Sequence, residues 1–65
     1  MVMKIVSLDA LGYKFTVGKV NVNLNNNSKV TKIIKNEDSK YGFIVFFEDG
    51  TEADIITKEA LVLWG

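Results

Sequence analysis

A chain of 65 residues with eight lysines, eight acids, no cysteine and no histidine carries a formal net charge of zero. That composition excludes disulfides and structural zinc sites of the Cys/His kind, and the length bounds the answer to one small domain. Such a chain buries only about 60% of its unfolded surface, so its stability is marginal and self-association, as a homodimer, is an expected way to add to the core. No apolar run is long enough to span a bilayer as a helix. The first residues, Met1-Val2-Met3-Lys4-Ile5-Val6, lack the long apolar core and cleavage site of a signal peptide, so a cytoplasmic protein with no membrane contact is expected.

The pattern predicts a first strand over residues 2–8, where Val2, Ile5, Val6 and Leu8 are apolar around Lys4 and Ser7. Asp9-Ala10-Leu11-Gly12 then reads as a turn. Tyr13, Phe15 and Val17 alternate with Lys14 and Thr16, and after Gly18 the alternation resumes one step out of phase at Val20, Val22 and Leu24. A period-two pattern that slips at a glycine marks a bulge or sharp bend, by which a long second strand serves two sheets. A tight hairpin turn at Gly18 is the competing reading. Asn25-Asn26-Asn27-Ser28 reads as a turn, residues 29–35 as a strand with Val30, Ile33 and Ile34 apolar, and residues 36–40 as a polar loop.

Residues 41–56 carry the strongest local signal. Tyr41-Gly42-Phe43-Ile44-Val45-Phe46-Phe47, then Glu48-Asp49-Gly50, then Thr51-Glu52-Ala53-Asp54-Ile55-Ile56 is a hairpin pattern. A two-residue turn at Asp49-Gly50 would pair Phe46 with Ala53 and Ile44 with Ile55. A three-residue turn with Gly50 left-handed in a bulge would pair Val45 with Ala53 and Phe43 with Ile55. The second is favoured. It puts Phe43, Val45 and Phe47 on one face with Ala53 and Ile55, and leaves Glu52 and Asp54 outside beside Phe46 and Ile44. In either geometry the first strand is apolar on both faces, as a central covered strand is. The other reading is that one face awaits a partner.

After the hairpin, Thr57 is placed to cap one helical turn, Lys58-Glu59-Ala60-Leu61, and Val62-Leu63-Trp64 reads as a short last strand. No window shows sustained helical periodicity, so the fold is expected to be all-β. Strand, acidic Asp-Gly turn, strand, helical turn and closing strand over residues 41–64 resemble the C-terminal half of SH3-like small barrels of the Tudor and KOW kind. The resemblance implies a small SH3-like barrel of five to six antiparallel strands with one short helical turn before the last strand; a sandwich of the same strands is the other architecture the pattern allows. It also implies binding of peptides or nucleic acid through loops at one rim.

Charge is unevenly spread. Residues 1–35 hold Lys4, Lys14, Lys19, Lys29, Lys32 and Lys35 against Asp9, a net +5. Residues 36–65 hold Lys40 and Lys58 against seven acids, a net −5. Interleaving of the two halves in space is the simpler account, and an interaction surface the sharper one. There is no arginine, the residue on which base readout and bidentate phosphate contacts lean.

Catalysis is not expected. Without His or Cys there is no nucleophile–base pair, and so short a chain hardly encloses a cleft of the usual ~300 Å³ or more. Glu52 and Asp54 share a strand face roughly 7 Å apart, but solvated acids on an edge strand are the simpler reading. Glu48, Asp49, Glu52 and Asp54 are hard oxygen donors whose spacing matches no metal loop, and the scattered glycines form no phosphate loop, so neither metal nor cofactor is expected.

The expected function is a non-catalytic protein-interaction module, such as a small phage or mobile-element protein that binds a host protein. Its contact residues would be Ile44, Phe46 and Trp64, with Glu52 and Asp54 beside them. Trp64, the one tryptophan, has the character of an interface anchor. The alternative is a nucleic-acid-binding small barrel using Lys14, Lys19, Lys29 and Lys32 with Tyr13, helped by Lys4 and Lys35. Zero net charge counts against it. An acidic decoy built from Glu37, Asp38, Glu48, Asp49, Glu52, Asp54 and Glu59 is a third reading.

Overall fold

The computed structural model describes residues 4–20 and 27–65. These form six strands, β1 (Ile5–Ala10), β2 (Tyr13–Thr16), β3 (Val30–Lys35), β4 (Gly42–Phe47), β5 (Glu52–Ile56) and β6 (Leu61–Trp64). They make two antiparallel three-stranded sheets, ordered β2-β1-β6 and β3-β4-β5. The protein is therefore all-β, and no helix occurs among the described residues. The positions Val2, Val22 and Leu24, and Asn25 and Asn26 of the asparagine turn, lie outside the described residues.

The β4–β5 hairpin has the three-residue turn. Val45 pairs with Ala53 and Phe43 with Ile55. Gly50 has φ of 90°, its N–H donates to the Phe47 carbonyl at 3.1 Å, and the Phe47 N–H donates to the Thr51 carbonyl at 2.9 Å. Only a residue without Cβ takes that φ without strain, which is why the glycine follows Glu48-Asp49. Phe43, Val45, Phe47 and Ile55 are buried, while Glu52 and Asp54 are exposed.

One core joins the sheets. Ile5, Leu8, Ala10 and Phe15 from the first meet Val30, Ile33, Phe43, Val45, Phe47 and Ile55 from the second. The Phe15 and Phe47 rings stand edge to face at 6.4 Å between centroids, an arrangement that the ring quadrupoles favour.

The slip at Gly18 is a change of sheet. The Val17 N–H still donates to Val6 of β1, at 3.0 Å, but the next N–H, of Gly18, donates to Val30 of β3, at 2.8 Å. The Lys19 N–H closes a turn onto the Thr16 carbonyl at 3.0 Å, with Gly18 at φ of 88°. The bend that lets the chain serve two sheets is what forms, as a tight turn; the hairpin reading does not hold among the described residues, since Val20 bridges to Lys29 and not back to β2.

Two expectations are corrected. The first strand runs on through Asp9 and Ala10, and the turn shrinks to Leu11 and Gly12, at φ of 56° and 79°. The Ala10–Tyr13 pairing demands left-handed geometry at both central residues, which overrides leucine's aversion to it. The helical turn at residues 58–61 does not form. The Thr57 hydroxyl accepts the Glu59 N–H at 3.1 Å, as a cap would, but Leu61 is already paired with Asp9 in the β1–β6 ladder. Too few residues remain between β5 and β6 to nucleate a helix.

Two substitutions should move stability in opposite directions. Gly50→Val should cost about 1 kcal/mol or more by forcing a β-branched residue to positive φ. Leu11→Asn should add about 0.5–1 kcal/mol, since asparagine tolerates that geometry and Leu11 is exposed. Thermal melts of both variants against the parent check the pair; a higher melting temperature for Gly50→Val would refute the turn assignment.

Candidate functional site

The site begins with the direction of backbone groups in β4. The Gly42 carbonyl accepts the Asn36 N–H at 3.0 Å, and the Tyr41 carbonyl accepts the Thr57 N–H at 3.2 Å. Alternation along an antiparallel strand then aims Gly42, Ile44 and Phe46 toward β3, and Phe43, Val45 and Phe47 toward β5. The register pairs Lys32 with Phe46 and Ile34 with Ile44, so Lys32 and Ile34 bond to β4. Ile33 and Lys35 turn their backbone groups the other way. Val30, one bulge earlier, also faces away, but there Gly18 and Lys19 cover it. The β3 edge is thus paired at its start and has no strand partner at Ile33 and Lys35 among the described residues, although Ile33 is buried there at 4% exposure.

A groove of about 970 Å³ runs beside this stretch of β3. Its lining includes Thr31 and residues 32–37, with Lys4, Ile5, Val17, Ile44 and Trp64. It is larger than a chain this short was expected to hold because it is an open trough between strands, not an enclosed cleft. The β1–β6 register places Trp64 against Ile5, and Lys4 exchanges two backbone bonds with Gly65, at 2.8 and 3.1 Å, which hold this end of the sheet beside β3. Trp64 keeps 48% of its surface exposed. Lys4, Lys32 and Lys35 line the groove with Glu37 as the opposing charge. The Lys35 ammonium also donates to the carbonyls of Asn36, Ser39 and Gly42 at 3.2, 2.7 and 3.0 Å, and lies 5.3 Å from the centre of the Phe43 ring. It pins the β3–β4 loop as well as charging the groove.

The residues expected to contact a partner share one region. Ile44 and Trp64 line the groove. Phe46, Glu52 and Asp54 continue the outer face of the β3-β4-β5 sheet, where Phe46 is opposite Glu52 and Ile44 opposite Asp54. The lysines expected for nucleic acid do not converge. Lys32 lines the groove, Lys19 and Lys29 flank the Val20–Lys29 bridge, and Lys14 pairs with Asp9 on the far sheet. Tyr13 is half-buried against the core, its ring 6.2 Å from that of Phe15. Sequence reasoning missed Ile5, Ile33 and Ile34 as lining residues; their apolar character was visible, but their convergence arises from strands far apart in the chain.

The acids make no metal centre among the described residues: no three of them stand close enough to hold an ion. Asp49 serves the turn instead. Its carboxylate accepts the Thr51 hydroxyl at 2.5 Å and the Thr51 N–H at 2.9 Å, and its own N–H donates to the Ser28 hydroxyl at 3.1 Å. The Thr51 hydroxyl, then the Thr51 N–H, hold the Asp49 carboxyl below its ordinary value of 3.8.

A carboxyl lowered in the folded state adds stability that is full above its unfolded pKa and lost as pH falls through the folded one. Asp49→Asn should therefore weaken the hairpin at neutral pH and flatten the acid limb of the stability curve below pH 3.8. Urea melts across that range check it, and parallel acid limbs for variant and parent would count against the Asp49–Thr51 contact.

No protein-family model, curated protein or solved structure matches this chain.

Proposed function

We propose that the protein is a non-catalytic protein-interaction module that holds its partner in the groove along β3. The observation that carries this reading is Trp64, 48% exposed at the wall of a trough also lined by Ile34 and Ile44. A large amphipathic ring left uncovered beside aliphatic side chains is how interface anchors are arranged. The strands and Asp-Gly turn of residues 41–64 keep a likeness to SH3-like small barrels, which bind other chains at one rim, although the helical turn of that pattern does not form. The nucleic-acid reading draws on Lys4, Lys32 and Lys35 in the same groove, but Lys14 and Tyr13 stand apart from them. Affinity capture from nuclease-treated lysate tests the proposal, with Trp64→Ala and Lys32→Glu as controls. A protein retained by the parent and lost from both variants is the expected result; retention that needs intact DNA or RNA would overturn it.

Homodimerisation is a second reading, favoured by the register of the β3-β4-β5 outer face. Lys32, Phe46 and Glu52 form one row across it, and Ile34, Ile44 and Asp54 the next. A two-fold axis along β4 lays β3 of one copy over β5 of the other. Phe46 then meets Phe46, and Lys32 meets Glu52 of the second copy twice over, as a self-complementary interface requires. Sedimentation equilibrium should show a dimer at micromolar concentration. A monomer mass up to about 100 μM would exclude it.

A further inference from the structure

We infer that the outer edge of β6 pairs antiparallel with the same edge of a second copy, joining two β2-β1-β6 sheets across a two-fold axis at Leu63. β6 ends its sheet, with β1 as its one strand neighbour among the described residues. Lys4 and Gly65 exchange both backbone bonds, so alternation sends the backbone groups of Leu63 and Leu61 toward β1 and those of Val62 and Trp64 away from it. The bulge between Ile5 and Ser7 lies in β1 and leaves that alternation intact. Unlike Ile33, this edge is at the surface. Leu61, Leu63 and Trp64 are 72, 60 and 48% exposed, and Val62 is only half-buried. The contact is distinct from the outer face of β3-β4-β5, and of its residues only Trp64 also lines the groove.

Charge and parity make a second copy the occupant. The other edge strands all carry charge: Lys14 on β2, Lys32 and Lys35 on β3, Glu52 and Asp54 on β5. Those charges guard an edge against its own kind. β6 has none from Ala60 to Gly65, so it offers a charged peptide or a nucleic acid no ion pair and offers itself no repulsion. With Val62 and Trp64 as the open residues, pairing centred on Leu63 sets Val62 of each copy against Trp64 of the other. Every open donor and acceptor of both residues is then bonded. Leu63 meets Leu63 of the other copy on the outer face, at the closer, non-hydrogen-bonded position. Leu61 falls opposite Gly65 of the other copy, which has no side chain to obstruct it. On the inner face the Trp64 ring lies beside Val62 of the other copy, so the exposed apolar residues are covered in pairs. Residues 61–65 are far fewer than the roughly 20–30 a side of a standard interface, so the dimer is weak, with a Kd of about 0.1–1 mM.

Sedimentation equilibrium and amide exchange on the full chain, from about 10 μM to 1 mM, test the contact. The mass should rise toward that of a dimer. The amides of Val62 and Trp64 should gain protection with concentration, whereas those of Leu61 and Leu63, already bonded to β1, should not. Leu63→Lys and Leu63→Glu each set like charges against one another across the axis, and each should return a monomer. Because Leu63 is exposed, both should melt with the parent at about 10 μM, where the parent is monomeric. An equimolar mixture of the two should associate about tenfold or more tightly than either alone, since each lysine then meets a glutamate. Phe46→Lys should leave the dimer in place. A monomer mass at about 1 mM overturns the inference, as does a mixture no heavier than its parts. So does a dimer lost with Phe46→Lys and kept with Leu63→Lys, which assigns association to the β3-β4-β5 face. Should the Leu63 variants unfold, the parent's amides decide: protection that rises elsewhere and not at Val62 and Trp64 overturns the contact. Lys32→Glu reports on the groove alone, so its effect on partner capture stands apart from all of these outcomes.

Discussion

The turn at residues 48–50 decides which side of β4 is inside, and most of the molecule follows from that decision. β4 is apolar at nearly every position, so its own side chains do not choose. With Gly50 left-handed, Ala53 and Ile55 come inward beside Val45 and Phe43. A slip of one residue would turn Glu52 and Asp54 toward the core, and burying two unpaired carboxylates costs far more than a small domain has in reserve. The glycine permits the register, and the acids of β5 forbid its alternative.

That parity passes to β3 through the Asn36–Gly42 bond and the pairs above it, and so determines which backbone groups of β3 point away from the sheet. Gly18 then covers Val30 and leaves Ile33 and Lys35. The charge imbalance between the halves of the chain is resolved in the same geometry. Lys32 sits on one edge strand of the sheet and Glu52 and Asp54 on the other, about 10 Å apart across β4. Within this sheet the two signs are separated to opposite edges. In the other sheet Lys14 lies beside Asp9, but both belong to residues 1–35, so that pair does not offset one half of the chain against the other.

What could be read from the chain was local. The hairpin was legible because a turn that needs positive φ shows its glycine beside the strands it joins, and the change of sheet was legible because a period-two pattern cannot slip without a bend. Leu11 was not legible: a bulky residue at positive φ runs against propensity, and only the pairing of Ala10 with Tyr13 explains it. The helical turn failed for a related reason, since Thr57 makes the capping bond while long-range pairing claims Leu61. Trp64, Ile44 and Phe46 could be picked out as apolar residues in excess of one core. The trough could not, because Ile5, Ile33 and Trp64 meet only after three distant strands are placed.

A strand edge is ordinarily a hazard, and the way the β3 edge is set limits it. Two copies of β3 brought edge to edge would oppose lysine to lysine, and two copies of β5 would oppose acid to acid, so neither edge recruits itself. The β3 edge and the β5 edge do match in charge, and joining them head to tail would build an open-ended filament. Burial of Ile33 at 4% exposure resists that outcome, because its backbone groups are not presented to an incoming edge. The lysines along β3 and the burial of Ile33 thus both limit self-pairing.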